Sequence, residues 1–210
     1  MRANMVRASL ALAGLVSASM ASGQIAFSTL APNDSYLSGG YISGHNLSTT
    51  NWRQTFQFES SLSGQLDYLR FAISHRGGST DYVVRLRLDD AGQPGTPIVR
   101  FDLSDGTPDP GHIATAVAGP GAPSLVAGQR YWFEFFTDSE TAYHRFHRNT
   151  QSISLPWRGS NNGDDVWEFS NTVDAPAFEV AVVPEPGTLG ALALGSALLL
   201  RRRARRKREI

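Results

Sequence analysis

Histidine, carboxylate and tryptophan are the residue types from which chemistry would have to be built here, because the 210-residue chain contains no cysteine. That absence excludes a disulfide scaffold, a thiolate-held zinc or iron–sulfur site and a cysteine nucleophile. Of the five histidines, His144 and His147 stand three apart in Tyr143-His144-Arg145-Phe146-His147. On a strand, residues i and i+3 project to opposite faces, so this pair does not converge on one metal ion. His45, His75 and His112 lie among turn-forming residues and read as exposed. No HExxH, GxSxG or P-loop spacing occurs, and no catalytic residue is assigned.

Two acidic clusters have the oxygen-rich, flexible character that Ca²⁺ prefers. One is Asp102, Asp105 and Asp109; the other is Asp164, Asp165 and Glu168, which follows Asn161-Asn162-Gly163. Neither has EF-hand or RTX spacing, and such Asp/Asn/Gly groups more often form turns through local side-chain hydrogen bonds. The second cluster is kept as the Ca²⁺ candidate, and no cofactor is otherwise expected. Among Trp52, Trp132, Trp157 and Trp167, the best sugar-stacking candidate is Trp157. Pro156 and Gly159 flank it and predict a loop, where binding residues concentrate. A tryptophan that caps the core is the competing explanation.

The elements that must position these groups are strands. Gly and Pro are numerous, at 20 and 11 residues, and no stretch of helical length keeps a 3.6-residue apolar period. Alternating runs recur at 52–58, 66–73, 82–88, 98–103, 113–117, 130–136, 142–147, 166–169 and 178–182. Tyr82, Val84, Leu86 and Leu88 face one way; Val83, Arg85 and Arg87 face the other. Leu66, Tyr68, Arg70 and Ala72 are set against Leu69, Phe71 and Ile73. Residues 89–95 read as the loop that closes the 82–88 strand. The pattern predicts an all-β fold, an antiparallel β-sandwich or jelly roll, flanked by an N-terminal signal helix and a C-terminal hydrophobic helix. Residues 24–180 are expected to fold without either flank.

Charge separates those flanks from the body. Between residues 24 and 183 there are ten arginines against seventeen carboxylates, so the body has no electrostatic footprint for nucleic acid. Residues 1–23 carry Arg2 and Arg7, a short apolar run from Ala8 to Val16, then small residues: the anatomy of a secretory signal peptide. Cleavage after Ala21 or Gly23 starts the mature chain at Ser22 or Gln24. At the other end, Val182-Val183-Pro184-Glu185-Pro186 leads into an apolar run to Leu200. Arg201, Arg202, Arg203, Arg205, Arg206, Lys207 and Arg208 follow. The prolines enforce an extended segment. As a helix, residues 187–200 span only about 21 Å, short of a hydrocarbon core of about 30 Å. Snorkelling arginines make up part of the difference, and the basic cluster is a cytoplasmic-side marker.

In this order, the Pro-Glu-Pro triplet, the short apolar run and the basic terminus resemble the PEP-CTERM sorting signal of Gram-negative bacteria. The resemblance divides the chain into a signal peptide at 1–23, a β-sandwich at 24–181 and a sorting signal at 182–210. It implies that exosortase, a membrane-embedded transpeptidase-like enzyme, recognises Pro184, Glu185 and Pro186 and removes the tail. The precursor is then anchored in the inner membrane, and the product belongs to the cell surface or extracellular matrix, in an exopolysaccharide or biofilm setting. The body is more weakly similar to choice-of-anchor β-sandwich domains, through Leu86-Arg87-Leu88, residues 92–97 and residues 125–133. That likeness brings no catalytic set. A non-catalytic matrix protein is therefore expected, with a glycan-binding module as the alternative and a polysaccharide-active enzyme behind it.

Overall fold

The computed structural model describes residues 23–45, 51–161 and 166–184. The signal segment, the Asp164–Asp165 pair, Glu185, Pro186, the apolar run and the basic tail lie outside the described residues. In chain order the strands are β1 (Gln24–Ser28), β2 (Tyr36–His45), β3 (Asn51–Glu59), β4 (Gly64–Gly77), β5 (Asp81–Asp90), β6 (Gln93–Ser104) and β7 (His112–Val117). They continue with β8 (Ser124–Leu125), β9 (Arg130–Phe136), β10 (Tyr143–Asn149), β11 (Ser154–Ser160), β12 (Phe169–Asp174) and β13 (Phe178–Val183).

All pairings are antiparallel. One sheet runs β1-β13-β4-β10-β2, with β7 and β8 on the opposite edge of β4. The other runs β3-β9-β5-β6, with β11 and β12 beyond the free side of β3. The sheets join at a corner where β2 meets β3 through Gly44 opposite Trp52 and His45 opposite Asn51.

The core follows from the alternation of apolar residues. Tyr82, Val84 and Leu86 of β5, Tyr131, Phe133 and Phe135 of β9, and Leu69, Phe71 and Ile73 of β4 are all buried between the sheets. Phe178, Val180 and Val182 of β13 join them. Rings bridge the layers: Phe133 lies flat on Phe178 at 4.4 Å, and Phe135 on Phe146 at 3.7 Å. Aromatic contact of this kind adds to the area term that holds two sheets face to face.

Several expectations are corrected. Leu66 is buried with Leu69, Phe71 and Ile73 rather than set against them. The cause is an irregularity in the β4–β13 ladder, where Ala181 faces Tyr68 but Val182 faces Leu66, so Asp67 is skipped and the faces exchange. The loop read at 89–95 is a two-residue turn, because Asp90 already pairs with Gln93. Ala91 and Gly92 both take positive φ (50° and 82°), as a type I′ hairpin turn demands. The 92–97 and 125–133 stretches are therefore the start of β6 and the approach into β9. The run at 166–169 becomes strand only at Phe169, where β12 begins. Strands β1, β2, β8 and β11 go beyond the sequence reading.

The boundary drawn between Ala181 and Val182 falls inside β13. Val182 is wholly buried, and Pro184 is buried just past the strand end. A fragment spanning 23–184 is expected to unfold cooperatively in urea. Stopping it after Val180 removes Val182 from the core and the final rungs of the ladder. That truncation should cost about 3 kcal/mol or more, read from the denaturation midpoint.

Candidate functional site

The junction with the sorting segment is built by three strands. β13 lies between β1 and β4, with Val182 opposite Gln24 on one side and Leu66 on the other, and Val183 opposite Gln65. Gly64, the first residue of β4, lies directly under this end. A Cβ placed there would collide with the Val183 carbonyl oxygen and sit 3.1 Å from the Pro184 Cα. Both chain ends therefore leave from one pole of the sandwich. Gln24, one of the expected mature N-termini, is the cross-strand neighbour of a residue two positions before Pro184. Of the sorting residues, Pro184 is placed by the structure; Glu185, Pro186 and the seven basic residues lie outside the described residues.

Trp157 is not in a loop. It sits in β11, opposite Phe56 of β3 and Asn171 of β12. The flanking residues misled for positional reasons. Pro156 comes just before the first rung shared with β3, where a missing N–H is tolerated. Gly159 makes room for the indole, since a Cβ there would lie 2.6 Å from the Trp157 ring. Phe169 faces Gly159 across the β11–β12 ladder and stacks on Trp157 at 6.3 Å and 17°. Phe169 also meets Trp52 at 6.0 Å. The Trp157 Nε1 donates to Gln54 Oε1 at 2.6 Å, and Gln54 Nε2 donates to the Ile42 carbonyl. Together Tyr41, Trp52, Gln54, Trp157 and Val173 line an open cleft of about 420 Å³. The Tyr41 hydroxyl donates to the Asp174 carbonyl, and burial followed by the Asp174 charge pushes its pKa up to about 12. Tyr41, Gln54 and Phe169 were not legible as parts of one surface. Only the pairing of β2, β3, β11 and β12 brings them together.

The acidic candidates resolve differently. Asp102 pairs with Arg100, Asp105 with the His112 imidazole at 2.7 Å, and Asp109 with Arg76, Arg145 and the Ser74 hydroxyl. These carboxylates are dispersed over separate protein partners. Glu168 is exposed, and its backbone N–H donates to Gly159. Among the described residues no group of three metal-binding side chains converges.

The outward face of the second sheet carries a charged layer that the sequence did not announce. Glu134 is fully buried, with Arg87, Arg85 and Arg53 at 3.5, 3.7 and 3.8 Å. The Arg53 and Arg85 guanidiniums also lie over the Phe136 ring at 4.2 and 4.1 Å. Burial lowers the Arg85 pKa from its ordinary value, with the Glu134 charge opposing that shift.

His144 and His147 do face opposite ways. His144 is 1% exposed, beside Tyr82 and with its Nε2 3.5 Å from His75 Nδ1. His147 stacks on Tyr36 and accepts the Gly39 N–H at Nδ1. His75 belongs to strand β4, not to a turn. Burial first, and then His75, lowers the His144 pKa to about 4; burial and the charges of Arg145 and Arg76 do the same for His147.

The described residues form an antiparallel β-sandwich whose last strand, β13, ends one residue before Pro184. Residues 182–207 match the family model of the PEP-CTERM protein-sorting motif. The chain thus carries the sorting signal of an exported protein that is processed by exosortase from a membrane-anchored precursor. No curated protein matches the chain.

Because both buried imidazoles are held neutral, the unfolded chain binds more protons than the folded one between pH 6.5 and 4. Stability is then complete above about pH 6.5 and falls as pH drops towards 4, by on the order of 3 kcal/mol per histidine. Urea titrations of the 23–184 fragment across that range should show this slope, and His144→Asn should remove its share.

Proposed function

We propose that this chain is a non-catalytic protein of the cell envelope or extracellular matrix. A signal peptide at 1–23 exports it, exosortase processes it at Pro184-Glu185-Pro186, and it acts in an exopolysaccharide or biofilm setting. The observation that carries this reading is the match of residues 182–207 to the sorting motif. The physics of the tail agrees. Seven basic residues between Arg201 and Arg208 resist translocation and keep the terminus cytoplasmic. The apolar run then sets the depth, and the Pro-Glu-Pro triplet, whose prolines disfavour helix, comes to the outer boundary of the inner membrane, where a protease needs non-helical backbone. Replacing Pro184 and Pro186 with Ala is expected to leave an uncleaved, membrane-retained product. Fractionation of wild type and variant in strains with and without exosortase reads the outcome. Identical size and location of the wild-type protein in both strains would leave a plain membrane anchor instead.

One observation favours a glycan-binding role for the exported body. Trp52, Phe169 and Trp157 form a row of rings beside an open cleft that Tyr41 and Gln54 also line. A pyranose stacks its C–H face on an indole, which such a row offers. Titration of the body with the producer's own polysaccharide should show saturable binding that quenches tryptophan fluorescence. Trp157→Ala should weaken it at least tenfold without loss of fold, and an unchanged affinity would exclude the cleft. Repeating the titration with Ca²⁺ added tests whether the Asp164, Asp165 and Glu168 cluster takes part.

A further inference from the structure

The sorting motif and the sandwich share residues. The motif match starts at residue 182, yet Val182 and Val183 are rungs of β13, and Pro184 is buried against the body. Val182 is held from both sides, by Gln24 on β1 and Leu66 on β4, and its side chain is wholly within the core. At Gly64 the approach is backbone to backbone, so an added side chain there is not relieved by a rotamer change. A peptide that enters a protease does so extended, with its backbone N–H and C=O groups available to the enzyme. Val182 and Val183 are instead rungs of the folded ladder. Nor does the chain offer a spacer: five residue steps separate Pro184 from Leu189, at most about 18 Å when fully extended.

We propose that the folded body and exosortase compete for Val182–Pro184, with Gly64 as the positioning residue that seats this segment on the body. Processing therefore acts on chains whose β13 end has not docked or has unzipped, and the seating of β13 sets its rate. The inference rests on the exosortase reading above and adds to it a dependence on folding of the body's last strand.

The test follows processing of the full-length chain by pulse-chase in a strain with exosortase. A closed disulfide between Gln65→Cys and Val183→Cys, which face each other across β4 and β13, pins the segment; the chain has no other cysteine. Processing of the oxidised form is expected to slow about tenfold or more, and reductant to restore it, while Val183→Cys alone is processed like wild type. Gly64→Val is expected to speed processing about tenfold. Phe135→Leu, a destabilising change in the other sheet, is expected to leave the rate near that of wild type. Equal rates for oxidised and reduced forms, together with an unchanged Gly64→Val rate, would overturn the proposal. So would equal acceleration by Gly64→Val and Phe135→Leu, which would point to global unfolding. Wild-type processing that does not depend on exosortase instead defeats the underlying reading and is recognised separately in the strain lacking the enzyme.

Discussion

Strand β13 has neighbours on both sides and, through Phe178, a flat aromatic contact with Phe133 in the opposite sheet. Much else depends on that placement. Among the described residues β1 pairs with β13 alone, so the ladder that holds the start of the body forms only when its end is in place. The hydrophobic layer needs Phe178, Val180 and Val182 to be complete, with Phe178 set opposite Phe71 and flat on Phe133. The fold is thus completed by the last residues of the body to be synthesised, a high contact-order arrangement in which local structure gains little until the final strand arrives.

The second sheet is organised on a different principle. Its inner face is ordinary aromatic packing, but its outer face buries Glu134 among three arginines and sets two of them on Phe136. Buried charge of this kind contributes little net stability compared with an apolar layer, because desolvation offsets much of the Coulomb attraction. What it does supply is register: Glu134 faces Arg85 on β5 and Thr55 on β3, so a slip of either strand separates the charges.

The sheet residues most legible in the sequence were those whose alternation is governed by one buried face. β5 appears with its two faces correctly separated and β9 with its bounds, because nothing interrupts the two-residue period from Tyr82 to Leu88 or from Tyr131 to Phe135. β4 was placed correctly, but its faces were misread at Leu66, since an irregularity in a ladder is a property of two strands and neither sequence alone encodes it. Strand β2 was hidden by its serines and glycines, and β11 by Pro156 and Gly159. The sorting motif was fully legible because its information is linear: residue order, charge and length suffice. The aromatic cleft and the Glu134 layer were not, because each is assembled from strands distant in the chain.

The shared pole of the two chain ends has a mechanical consequence. β3 runs towards that pole and ends there at Glu59, so Trp52 lies seven residues before Glu59, roughly 23 Å back along the strand. A force transmitted between a C-terminal tether and anything held near Trp52 therefore pulls along the axis of β13. In an antiparallel ladder the hydrogen bonds run perpendicular to that axis. Such a load shears the rungs to β1 and β4 together instead of opening them one at a time, the loading direction in which a strand resists extraction best.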